Sequence, residues 1–328
     1  MRPPARLYRY RPLDDALLDR ELRALEQAFL WSPRFSEMND PMEAFYELGG
    51  VADPMIDQLL APSGKSTSDM YRMAQSIIDN FCLVSFSSGH LDLPMWAYYA
   101  SNFAGMCLEF STEEIFVGDF QNERLLPVTY AKSPLPPLAF HELDKVETAI
   151  QARLSRKRLE WQHEKEWRIL TGAGGARNYL DDALTRIFLG PRTMDAHAER
   201  ICALFQNRPT EILRGKVVGY ELAFDVIKPA TPLAACERVG EGKFDLDEII
   251  YDRGELDAFL RVPFDRLSDE LRAIAARPNT QAISGCDLSG THNKNAIYVW
   301  SEHKLRSDRI AWRKVYFDRH MKPLASAQ

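Results

Sequence analysis

The chain has 328 residues, 45% hydrophobic and 27% charged, an ordinary globular composition with room for two domains. Acidic residues outnumber basic ones 47 to 41, a formal charge of -6, which excludes a general polyanion binder held by excess positive charge. No stretch reaches the roughly 18 apolar residues that span a bilayer, the opening Met1-Arg2-Pro3-Pro4 leads into no apolar signal core, and the five cysteines form no C-x-x-C pair. The expectation is a cytoplasmic protein with reduced thiols and no membrane partner.

Alternating rings and cations in Leu7-Tyr8-Arg9-Tyr10-Arg11 predict a first strand, ended by Pro12. Leu17, Leu18, Leu22, Leu25 and Phe29 recur at helical spacing, predicting a helix from Asp14 with Asp14 or Asp15 as N-cap. Residues 29–32 read as a second strand, and Asn39-Asp40-Pro41 as a break in regular structure. A helix over 68–80 leads into a strand over 81–86. Pro94 starts a short aromatic helix over 95–100, which Gly105 ends before a strand over 106–110. One strand is expected over 124–131, a loop at Pro134, Pro136 and Pro137, and a long charged helix over about 140–161. Residues 166–171 then predict a strand with Trp167 and Ile169 on one face and Glu166 and Arg168 on the other. A strand over 187–189, a helix over about 194–206 and a strand over 216–224 complete a first domain, residues 1–228.

Pro229 and Pro232 flank a linker, beyond which the composition changes. Residues 237–257 hold eight acidic groups against three basic ones, and 303–322 seven basic against two acidic, so the two segments are suited to face each other. With strands over 296–300 and 312–317, residues 229–328 form a smaller extension of unspecified role. The expected fold is α+β: a mixed sheet with flanking helices, plus a C-terminal α+β extension.

Four clusters stand out: Tyr8-Arg9-Tyr10-Arg11, then residues 35–43 with Asn39, Asp40 and Glu43, then Met95-Trp96-Ala97-Tyr98-Tyr99, then Glu164-Lys165-Glu166-Trp167-Arg168. In this order, with Gly105 and Phe188-Leu189-Gly190, they resemble a bacterial domain-of-unknown-function family, number 2971, over roughly residues 7–225. Met38 stands where the family carries phenylalanine. The family name records no chemistry, and the resemblance does not reach the last hundred residues.

An arginine on a first strand, rings on a middle element and E-x-E entering a later strand resemble the arrangement of ADP-ribosyltransferases. That resemblance implies NAD as cofactor, with Arg9 or Arg11 anchoring the dinucleotide, Trp96 or Tyr99 stacking on nicotinamide, Glu166 as catalytic carboxylate and Glu164 as second acid. An oxocarbenium-like centre needs a fixed carboxylate, and a pyrophosphate needs a guanidinium fork. Asn39, Asp40, Glu43 and Arg168 fall in supporting places, Asp40 and Glu43 orienting Arg9. The target is open between protein, nucleic acid and water, and phage defence is a natural setting.

Each cluster has a plainer reading. Glu166 and Arg168 share a face and are close enough to neutralise each other; the rings at 8, 10 and 95–99 suit core packing; Asn39-Asp40-Pro41 suits a turn. No phosphate loop, Rossmann glycine pattern, H-E-x-x-H or G-x-S-x-G is present, and no metal site is expected. In the tail, Lys304, Arg306, Arg309, Arg313 and Lys314 alternate with Trp312 and Tyr316, which suits single-stranded nucleic acid or equally a solvated strand face. Three functions therefore stand: an NAD-using enzyme, a non-catalytic binding or regulatory module, and a nucleic-acid-processing protein using Asp40, Glu43 and Glu166 with a divalent metal.

Overall fold

The computed structural model describes residues 2–38, 54–64 and 66–324. Its strands are β1 (Arg6–Arg11), β2 (Phe29–Ser32), β3 (Cys82–Ser87), β4 (Met106–Ser111), β5 (Arg124–Pro127), β6 (Thr129–Ala131), β7 (Arg156–Arg158), β8 (Glu166–Thr171), β9 (Gly175–Asn178), β10 (Leu184–Leu189), β11 (Glu211–Val218), β12 (Glu221–Lys228), β13 (Thr280–Leu288), β14 (Ile297–Lys304), β15 (Ile310–Phe317) and β16 (Pro323–Leu324). The fold is α+β, as expected. No helix among the described residues is long and apolar enough to cross a membrane. The chain forms two compact units drawn from alternating stretches: unit 1 from Met1–Arg9, Leu30–Met95 and Asn122–Arg177, unit 2 from Tyr10–Phe29, Trp96–Gln121 and Asn178–Gln328.

In unit 1, β1, β3, β8 and β5 lie side by side, every neighbouring pair antiparallel. Strand β8 is buried at all six positions, so its alternation puts Trp167 and Ile169 into one apolar layer and carries Glu166 and Arg168 inside as well. The helix Thr67–Asn80 is capped by Ser66, whose hydroxyl accepts from Asp69 N at 3.1 Å, and it buries Ala74 and Ile78 against Leu138, Ile150 and Leu154.

Two expectations about this unit are corrected. The stretch 140–161 is not one helix: a 3-10 turn Phe140–Lys145 and the helix Val146–Leu154 give way to β7, which pairs in parallel with β6, and a second 3-10 turn follows. The break falls where Lys157 turns inward to meet buried acids, an interaction that outweighs helix propensity. The strand expected over 124–131 is divided at Val128, whose N–H bonds Glu166 O at 2.9 Å; β5 stays with β8 while β6 leaves to pair with β7.

In unit 2, β4, β10, β11 and β12 lie in that order, with β10 and β11 parallel and the other pairs antiparallel. The strand expected over 216–224 is a hairpin, because Gly219 at φ 63° supplies the first residue of a two-residue turn between β11 and β12. Gly105 and Gly190 are fixed by close approach: a Cβ on Gly105 would lie 2.4 Å from Arg11 O, and one on Gly190 2.0 Å from Phe103 O. The helix before Gly105 ends at Tyr99, and Ser101, Asn102 and Phe103 carry the chain round at positive φ.

Further along unit 2, β13 to β16 form an antiparallel sheet of their own. One face is apolar and packs Ile283, Cys286, Ile297, Val299 and Phe317 against Leu267, Leu271 and Ile274 of the helix Phe264–Ala275.

Candidate functional site

In unit 1 the fourth sequence cluster meets two residues that the sequence reading passed over. Lys157 Nζ donates to Glu164 Oε2 at 2.6 Å and to Glu166 Oε2 at 3.3 Å, while Arg168 donates to both oxygens of Glu166, Nε to Oε1 at 2.9 Å and Nη2 to Oε2 at 3.1 Å. Arg168 Nη1 also reaches Leu154 O, and Lys157 lies 5.3 Å from the centre of the Trp161 ring. Glu164, Glu166, Lys157 and Arg168 are all buried. Two carboxylates face two cations, so the cluster is neutral and its charges are satisfied from within.

Burial drives the Glu166 carboxyl upward, but the Arg168 guanidinium and the Lys157 ammonium outweigh it and hold the group at about 2. The second passed-over residue, Tyr130, accepts a hydrogen bond from Glu166 N at 2.7 Å, and burial pushes its phenol up to about 12. Glu166 is thus an ionised carboxylate whose two oxygens are both engaged, on a strand with no exposed position.

Register decides where Arg9 stands. Tyr8 lies opposite Ser87 and Ser87 opposite Glu166, so Tyr8, Ser87 and Glu166 share one face of the β1, β3, β8 layer. Arg9, one residue on, projects from the other face, and its Nη1 donates to Ser85 O at 2.8 Å. Tyr8 instead lies against His90 with the rings tilted and their centres 5.3 Å apart.

The other expected anchors belong to unit 2. Arg11 forks onto Glu21, Nε to Oε2 at 2.8 Å and Nη2 to Oε1 at 2.5 Å. Trp96 is fully buried, edge-on to Tyr10, stacked with Phe103 and in tilted contact with Phe224, and Tyr99 is half-buried. Asn39, Asp40 and Glu43 lie outside the described residues. Of the expected site residues, Glu164, Glu166 and Arg168 come together, and Arg9 faces away from them.

Residues 95–169 match the model of a family described as a protein of unknown function, DUF2971. The resemblance expected from the sequence holds over that stretch, which runs from Met95 to Ile169 and takes in the Trp96 helix, Gly105 and the whole Glu164 to Arg168 cluster. No curated protein and no solved structure matches the chain. What DUF2971 residues do in unit 1 is therefore read from their own contacts: they build a closed ionic core.

A second candidate lies outside the DUF2971 stretch, on the open face of the β13 to β16 sheet. Opposed pairs across β14 and β15 put Tyr298, Trp300, Glu302 and Lys304 on one side with Tyr316, Lys314, Trp312 and Ile310. Trp300 is 37% exposed and Trp312 42%, with ring centres 4.9 Å apart. Tyr316 lies 6.4 Å from Tyr298 and 4.7 Å from His292, and Lys314 Nζ sits 5.2 Å over Tyr298. Four of the tail's other cations are paired within unit 2: Lys304 with Asp308 at 2.9 Å, Arg306 with Asp181 at 2.6 Å, Arg309 with Asp119 at 2.5 Å and Arg313 with Glu114 at 2.6 Å. The acidic 237–257 stretch contributes only Glu237, 3.9 Å from Arg306, to these pairs.

Proposed function

We propose that this protein is a non-catalytic protein-recognition module whose binding surface is the aromatic face of the β13 to β16 sheet. The observation that carries the reading is the pair of half-exposed indoles, Trp300 and Trp312, close together on one face of an antiparallel sheet. Tryptophan and tyrosine give large contact area for few rotatable bonds, and they concentrate binding energy where a protein surface covers them. Glu302, Asp287 and Asp308 against Lys304 and Lys314 leave the face without an excess of positive charge, which favours a protein partner over a polyanion. The Glu166 cluster supports the same reading, since both Glu166 oxygens are already engaged by Lys157 and Arg168.

Two experiments test it. A benzophenone amino acid in place of Trp312 is expected to give one discrete, nuclease-resistant protein adduct in cells. The adduct is absent when the same group replaces Met73, exposed on unit 1, and is lost when Trp300→Ala is added. No adduct, or a nuclease-sensitive one, overturns the proposal. Thermal unfolding with millimolar NAD is expected to show no shift; a ligand at about 100 times its dissociation constant adds roughly 2.7 kcal/mol, so a shift that disappears in Arg9→Ala would restore the ADP-ribosyltransferase reading.

A further inference from the structure

Strand β12 ends the strand order of its sheet among the described residues, with β11 on its one bonded side. The two-residue turn sets which groups point outward. Val218 and Glu221 close the hairpin, and Lys216 opposite Ala223 and Arg214 opposite Asp225 continue its bonded pairs, so Leu222 and Val226 direct N–H and C=O away from β11. The side chains around this edge are apolar and exposed: Val217 68%, Val218 56%, Tyr220 101%, Val226 52% and Ile227 42%. Behind them Phe224 packs on Trp96 at 5.9 Å and Phe188 at 5.0 Å, which holds the strand in place before any partner arrives. An ordered edge with an apolar fringe is a template for another strand.

We infer that β12 pairs antiparallel with β12 of a second copy of this chain, about a two-fold axis beside Phe224. An axis normal to the sheet keeps corresponding faces on one side, so opposed residues must both point the same way. Centring on Phe224 sets Leu222 opposite Val226 of the other copy, joining outward donors to outward acceptors and apolar side chains to apolar side chains. Charge selects this register over its neighbours. Centring on Ala223 would set Glu221 against Asp225, and centring on Asp225 would set that carboxylate against itself; like charges directly opposed are destabilising. Centred on Phe224, Asp225 faces Ala223 and Glu221 faces Ile227. The register shift between Ile212 and Leu213 makes Ile227 the extra residue of a bulge, which bends the strand and limits the pairing to about 222–226.

Light scattering on the full chain at micromolar concentration is expected to give twice the chain mass. Val226→Pro removes an outward donor that β11 does not use, so it is expected to keep the circular dichroism spectrum and raise the dimer dissociation constant by about tenfold or more. The double variant Ala223→Cys with Asp225→Cys places thiols across the two-fold in a closely spaced pair, and mild oxidation is expected to trap a covalent dimer that neither single variant forms. The single variants also control for Cys202, the one half-exposed native thiol, since Cys82, Cys107, Cys236 and Cys286 are buried. A native chain that runs at single mass, a folded Val226→Pro that still dimerises as tightly, or a double variant that does not cross-link overturns the inference. Should Val226→Pro fail to fold, the cross-link decides.

Discussion

Lys157 is the residue on which the ionic core of unit 1 depends, because it bridges Glu164 and Glu166. Replacing it by methionine leaves buried carboxylates short of one cation, and a loss of about 3–5 kcal/mol is expected in chemical denaturation. Acid acts on the same cluster. Glu166 is held at about 2 in the folded protein against about 4.3 in an unfolded chain, so its contribution is complete above pH 5 and is lost as pH falls toward 2. A second buried group in unit 2 responds earlier. Burial, reinforced by Arg313 and Arg277, lowers His303 to about 3, so the unfolded chain takes up a proton near pH 6.5 that the folded one refuses, and stability falls from there toward pH 3. Asp182 works against it: burial and the neighbouring Glu114 raise it to about 6, so stability recovers as pH falls from 6 toward 4. The variant His303→Gln is therefore expected to lose less melting temperature between pH 7 and 5 than the native chain does, measured by calorimetry; an equal loss would remove His303 from the account. The pairing of Glu166 with Arg168 was legible from the sequence, because two residues of a strand separated by one must share a face. Lys157 was not legible, since a run of charges over 140–161 reads as a solvated helix and nothing local says that one lysine turns inward.

Strands bounded by glycine or proline were read correctly in kind: the strands expected near 81, 106 and 166 appear as β3, β4 and β8. Where an element exists only through a partner far along the chain, local pattern failed. Strand β7 has three residues, and its existence depends on β6. The hairpin at Gly219 was readable in principle, because a glycine that interrupts a strand pattern marks a tight turn or bulge. Close approach at glycines can be tested at this scale. Gly190→Ala is expected to cost about 1–3 kcal/mol or more, because the new methyl meets the Phe103 backbone, which has no side-chain end to swing away. Gly290→Ala meets nothing within 4 Å and is expected to stay within about 0.5 kcal/mol of the native chain. Equal denaturation midpoints for the two variants would contradict the close-approach account.

For the whole molecule, a formal charge of -6 and the internal pairing of Arg306, Arg309 and Arg313 act together. Single-stranded oligothymidylate at low salt is expected to leave the tryptophan emission unchanged; quenching that salt reverses would show that the aromatic face carries more positive potential than its pairs allow. The sequence displayed the basic stripe but not its partners, because Glu114, Asp119 and Asp181 lie more than a hundred residues earlier. The alternation of the two compact units along the chain has a consequence for biosynthesis. Unit 1 cannot close until residue 177 has left the ribosome, and unit 2, begun at Tyr10, must wait for the strands beyond 280. When unit 1 becomes able to close, the stretches 10–29 and 96–121 of unit 2 have already emerged and still await their partners beyond residue 177. Those early stretches of unit 2 carry apolar surfaces that stay uncovered meanwhile, and the time spent in that state is set by translation speed.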